Sequence, residues 1–143
     1  MHHDQNYSSA YDVSVLARHA LTRNPDLVEI VNTKNYCCAS KTMPGHIYNW
    51  ENTNYMLWDK SKQYYGVKTG VTPTAGPCLS VHFKSKCGNF DFQVTILNCK
   101  TREARYSEIP KLVEWAQSKI NRVRRMNYKP SLKKQLLRNI THF

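Results

Sequence analysis

The sequence predicts a mixed α/β domain of the α+β kind, with antiparallel strands flanked by helices. Three observations carry this reading. Residues 78–84 alternate, Cys78, Ser80 and His82 against Leu79, Val81 and Phe83, which is the period of a strand with two unlike faces. Residues 90–98 repeat the pattern with Phe92, Val94 and Ile96 on one face, and Ser85-Lys86-Cys87-Gly88-Asn89 between them reads as a hairpin turn. Helical stripes stand on either side of this block: Val13, Leu16, Ala17, Ala20 and Leu21 before it, and Ile109, Leu112, Val113, Ala116 and Ile120 after it.

Taken in chain order, Ser9 with Asp12 three residues on opens a helix over about 10–22. Asn24-Pro25 opens another, with Asn24 as cap, Pro25 at the first helical position and Leu27, Val28 and Val31 as the buried face. Tyr36–Ala39 and His46–Trp50 are short partner strands around a turn at Pro44-Gly45. Asn52-Thr53-Asn54 holds a turn or a helix cap. A strand then covers about 66–72, with Pro73-Thr74-Ala75-Gly76 turning the chain into the alternating strands. Ser107 caps a helix over about 107–120, and a short amphipathic helix is expected after Pro130 on Leu132, Leu136, Leu137 and Ile140.

Hydrophobic content of 41% and charged content of 22% suit a globular domain with a modest core. No run of 18 apolar residues is present, and residues 1–6 lack the apolar stretch of a signal peptide. The net charge of +11 is uneven, because residues 121–143 hold Arg122, Arg124, Arg125, Lys129, Lys133, Lys134 and Arg138 with no acid. The expected organisation is therefore one domain over 1–120 and a basic C-terminal extension over 121–143. That extension is either a solvated tail or a docking segment for RNA, an acidic protein surface or an anionic membrane surface. The five cysteines include vicinal Cys37-Cys38 and form no C-x-x-C pair, which fits buried free thiols in an intracellular, reducing compartment. The six histidines are scattered, so no metal or cofactor is expected.

The most informative segment is Gly66-Val67-Lys68-Thr69-Gly70-Val71-Thr72-Pro73-Thr74-Ala75-Gly76-Pro77-Cys78-Leu79. It resembles the K-T-G-x-T-x-x-A-G-x-x-L signature of serine-type D-Ala-D-Ala carboxypeptidases, the low-molecular-mass penicillin-binding proteins. Other blocks agree in order: Tyr7–Asp12, Asn24-Pro25 with Glu29-Ile30-Val31 and Thr33-Lys34, Asn52-Thr53-Asn54 with Leu57, and Arg105 with Lys111-Leu112 and Trp115. The resemblance spans about residues 1–118. It implies the second half of a serine β-lactamase/DD-peptidase-like catalytic domain, an antiparallel sheet with helices on both faces.

The resemblance also implies roles. Lys68 and Thr69 would hold the terminal carboxylate of a peptide substrate, with Lys68 adding charge to the local proton network. Gly70 would let the substrate backbone approach, the backbone N–H of Val71 would be an oxyanion donor, and Arg105 would help hold the same carboxylate. Two plainer readings stand beside these: an edge-strand lysine that opposes aggregation, and a solvated arginine at a helix start.

The family's nucleophile sits in Ser-x-x-Lys, and a Ser-x-Asn element completes the site. No Ser-x-Asn occurs here, and the sole Ser-x-x-Lys is Ser131–Lys134, inside the basic extension and in reversed order. Ten serines and thirteen lysines in 143 residues give about one such match by chance. The nucleophile is therefore not expected among these residues. Two functions remain: a carboxypeptidase-like serine hydrolase completed by an N-terminal half or a partner chain that also covers the sheet edge, or a non-catalytic structural subunit that reuses the fold.

Overall fold

The computed structural model describes residue 3 and residues 5–125. In order these form α1 (Ala10–Arg23), α2 (Pro25–Asn32), β1 (Asn35–Ala39), β2 (Ile47–Glu51), a 3-10 turn (Tyr55–Trp58), β3 (Tyr64–Thr72), β4 (Gly76–Lys84), β5 (Asp91–Ile96) and α3 (Ala104–Arg125). The helix expected after Pro130, and Ser131–Lys134, lie outside the described residues. Among the described residues no helix is long and apolar enough to cross a membrane.

β3, β4 and β5 form an antiparallel sheet in that order, and β1 and β2 form a separate two-stranded ribbon. The alternation in β4 sorts its two faces. Leu79, Val81 and Phe83 are buried against Met56, Ile109 and Val113, so α3 and the 3-10 turn cover one face. Each such burial contributes about 1.5–3 kcal/mol. Ser80 points to the other face, where its hydroxyl lies 2.9 Å from Thr95 Oγ1, which in turn accepts from Ser14 of α1 at 2.7 Å. α1 therefore sits on a polar face and α3 on an apolar one.

The caps follow the sequence in part. Ser9 Oγ accepts from the Asp12 amide at 3.0 Å and donates to the Asp12 carboxylate at 2.8 Å. Asn24 is the N-cap of α2 but makes no side-chain cap bond there. Its side-chain amide instead donates to the Ala20 carbonyl and closes α1. α3 starts at Ala104 and not at Ser107: Thr101 Oγ1 accepts from the Ala104 amide at 3.1 Å, and Ser107 lies inside the helix, donating to the Ala104 carbonyl. Pro110 is thereby interior and leaves out one helical amide. α3 also runs past 120, through Arg122 and Arg124, which are good helix formers. Arg124 donates to the Asn89 carbonyl at 3.2 Å and lies over the Phe90 ring.

The expected inner stripes are narrower in the structure. Leu16 is 68% exposed, Val28 and Leu112 are exposed too, and Ala17 is the one buried residue of α1. Small Ser14 and Ala17 let α1 lie close to the sheet, so its bulkier neighbours Tyr11, Val15 and Leu16 stay outside. The cysteines are free, as expected, but none is buried: Cys37 and Cys87 are exposed and Cys38, Cys78 and Cys99 half-buried. Cys99 also lies beyond the end of β5.

Candidate active-site edge

Lys68-Thr69-Gly70 lies on β3, and β3 is an outer strand of its sheet. The register pairs Lys68 with Ser80, Thr69 with Leu79, Gly70 with Cys78 and Val71 with Pro77, after a bulge between Gly66 and Lys68. In an antiparallel strand the N–H and C=O of one residue point to the same side. The Pro77 carbonyl accepts from Cys99, on the β5 side, so the Val71–Pro77 pair exchanges no bonds. The Val71 amide and carbonyl therefore face outward, and two residues back so do those of Thr69. Two further bonds fit this phase: Lys84 N donates to Gln63 O across β3–β4, and the Gly66 amide donates outward to Asn32 Oδ1 at 2.8 Å.

The side chains divide in the same way. Lys68, opposite Ser80, stands on the polar face and its ammonium donates to the Thr69 carbonyl. Thr69, opposite Leu79, turns to the other face, and its hydroxyl lies 2.5 Å from that of Thr53. Thr53 is fixed in turn by Tyr106, whose phenol donates to the Thr53 carbonyl at 2.8 Å. A Cβ placed on Gly70 meets nothing within 4 Å, so the edge is open at that point.

Arg105 comes from the first turn of α3 and is 6% exposed. Its Nη1 donates to the Cys78 carbonyl at 3.2 Å and lies 3.5 Å from the Gly70 carbonyl. The guanidinium stands 4.8 Å over the Tyr106 ring, and Nε has no partner among the described residues. The structure thus places a buried cation directly behind Gly70. Burial, followed by the nearby Cys78 and Glu108, pushes the Cys99 thiol above its ordinary value, while Arg105 acts in the opposite sense.

Asn52 and Asn54 hold backbone, as expected. Asn52 donates to the Val31 and Thr33 carbonyls and accepts from the Asn54 amide, and Asn54 caps the 3-10 turn through the Met56 amide. Thr53, Tyr106 and Ser80 were not anticipated. Thr53 is 16 residues from Thr69 in sequence, and only its place between two backbone-binding asparagines hints at a fixed position.

A mixed domain with a helix on each sheet face and a Lys-Thr-Gly motif on an open edge strand defines a DD-peptidase-like architecture. The family model for D-alanyl-D-alanine carboxypeptidase matches residues 1–101, and the chain belongs to that family. It is 28% identical over 111 residues to the D-alanyl-D-alanine carboxypeptidase DacD of Salmonella typhimurium, covering 78% of this chain and 26% of that protein. It is 29% identical over 109 residues to DacA of Haemophilus influenzae, covering 76% and 26%. The Streptomyces K15 DD-transpeptidase superposes with a TM-score of 0.70 at 30% identity, covering 81% of this chain and 44% of that one. DacD of Francisella tularensis, at 19% identity and a TM-score of 0.68, shares the fold. The chain spans about a quarter of the length of its curated relatives and under half of the Streptomyces enzyme.

Proposed function

We propose that this chain supplies the substrate-holding edge of a serine-type D-alanyl-D-alanine carboxypeptidase-like protein. The outward-facing Val71 amide, on an open strand beside Lys68 and Gly70, carries the reading. An extended peptide pairs with the β3 edge by strand addition. Lys68 and the Thr69 hydroxyl meet its terminal carboxylate, and Arg105 adds positive charge from behind the strand. Gly70 keeps the approach clear. In acyl transfer a serine Oγ attacks the peptide carbonyl, its proton passes to a lysine, and the carbonyl oxygen becomes an oxyanion. Val71 N–H is one donor to that oxyanion. Collapse expels the terminal amino acid, and water then hydrolyses the acyl-enzyme. The serine and its lysine come from outside these residues: from the same gene product, a second chain or a cleaved precursor.

A second reading is a non-catalytic subunit of a larger assembly. The exposed Tyr11, Val15 and Leu16 on the outer side of α1 favour a covering body in either case. In the second reading the basic segment 121–143 docks on RNA or an acidic protein. Two measurements on the 143-residue chain test these readings, the first common to both and the second separating them. A fluorescent penicillin is expected to leave it unlabelled, and stoichiometric labelling would reveal a nucleophile within it. An N-acylated D-alanyl-D-alanine peptide is expected to shift the Thr69 and Val71 amide resonances. Unmoved amides at millimolar peptide would remove the substrate-edge reading and leave the subunit.

A further inference from the structure

The groove between α2 and the β1–β2 ribbon has a chemistry separate from the β3 edge. It is a wide, open groove of about 660 Å³, lined by Asp26, Glu29 and Ile30 of α2 and by Tyr36, Trp50 and Glu51 of the ribbon. Asp26, Glu29 and Ile30 stand at i, i+3 and i+4, so a single face of α2 looks into it. Tyr36 and Trp50 are partners across the ribbon, with ring centroids 5.9 Å apart and planes 24° from parallel. They remain 60% and 51% exposed, and Ile30 remains 66% exposed. Aromatic and aliphatic side chains thus line the same groove and stay open to solvent.

Charge selects the occupant. The chain has 10 acidic against 21 basic residues. Three of those carboxylates line this groove against one cation, Lys34, whose ammonium also lies 5.7 Å from the centre of the Trp58 ring. Asp26, Glu29 and Glu51 have no ion-pair partner among the described residues. A nucleic acid would meet like charge here. An ammonium or guanidinium group would meet carboxylates together with the exposed parts of the Tyr36 and Trp50 rings, the combination that recognises organic cations.

We propose that this groove binds a basic peptide segment. A lysine or arginine side chain lies against Tyr36 and Trp50, with Asp26, Glu29 and Glu51 around its charge. This site does not depend on the β3-edge reading, and its test leaves that reading untouched.

The test titrates the 143-residue chain with capped trilysine, followed by amide resonances. Saturable shifts are expected within residues 26–36 and 47–52. Glu29→Gln with Glu51→Gln, isosteric changes that leave the melting curve in place, should weaken binding roughly three- to tenfold. Trp50→Leu should weaken it about two- to fivefold. Trilysine acetylated on its side-chain nitrogens should not bind. Unchanged affinity in the double variant, equal binding of the acetylated peptide, or the same shifts with a uridine oligonucleotide would each overturn the proposal.

Discussion

Gly66→Ala should be among the most damaging single-methyl additions to this fold, and the reason is backbone against backbone. A Cβ built on Gly66 falls 2.1 Å from the Val31 carbonyl oxygen and 3.1 Å from its carbon. Neither atom belongs to a side chain that can rotate away. To regain contact distance the end of α2 must retreat from β3 by more than an ångström. That retreat strains the 2.8 Å bond from the Gly66 amide to Asn32 Oδ1 and the 3.2 Å bond from Asn52 to the Val31 carbonyl. Overpacking costs about 1–3 kcal/mol, and the two bonds are worth about 1 kcal/mol each. The stiffer unfolded chain returns about 0.4–1 kcal/mol. The net loss is roughly 2–5 kcal/mol, a large share of the about 5–15 kcal/mol that holds such a domain together. Urea denaturation followed by circular dichroism measures it directly. A change smaller than about 0.5 kcal/mol, the ordinary scatter of surface substitutions, would refute the reasoning.

Gly70→Ala meets no atom within 4 Å, so its melting midpoint should match or slightly exceed the parent's while its shifts with D-alanyl-D-alanine peptide weaken; a lowered midpoint would contradict the open edge. Arg105→Ala removes a buried cation that holds the Cys78 and Gly70 carbonyls and should cost about 2–4 kcal/mol by the same urea assay. Arg105→Lys should recover only part of it, because an ammonium lacks the planar fork. Alkali should destabilise the fold. Burial first, then Asp59 and Glu114, raises the Tyr64 phenol, and burial also raises the Cys99 thiol. Both groups are held protonated in the folded state, so their contribution is intact below their ordinary pKa values and fades as pH climbs through the raised ones. Tyr64→Phe should flatten that decline in a series of melts, and an unchanged slope would count against the assignment. Iodoacetamide should modify Cys87 first, because the Ser85 hydroxyl and then the Asn89 backbone favour its thiolate, and Cys99 last; peptide mass mapping reads the order.

What could be read from sequence followed the strength of local periodicity. β4 and β5 were legible because Ser80, His82 and Gln93 alternate with large apolar residues, leaving no ambiguity about which side faces the core. The helix stripes were over-counted, since period alone does not reveal how wide a surface the helix rests on. Leu16 and Leu112 sit at the right phase and still lie beyond the contact. Ser107 looked like a cap because it precedes an apolar run, whereas Thr101 does the capping from the loop before it. Lys68-Thr69-Gly70 was visible as a motif, and Arg105 as part of a family block. The Thr53–Thr69 contact and the Ser14–Thr95–Ser80 hydroxyl chain depend on tertiary approach, so no local pattern announces them.

The bulge between Gly66 and Lys68 acts as a phase shifter for the motif behind it. Side-chain direction along a strand repeats every two residues, so one extra residue inverts everything downstream. Without Val67 as that extra residue, Lys68 would fall opposite Leu79 and drive its ammonium into the apolar layer under α3. The outward amide would move from Val71 to Gly70. The polarity of the whole edge, which groups it offers and which it hides, is thus written by a single unpaired residue that belongs to no motif.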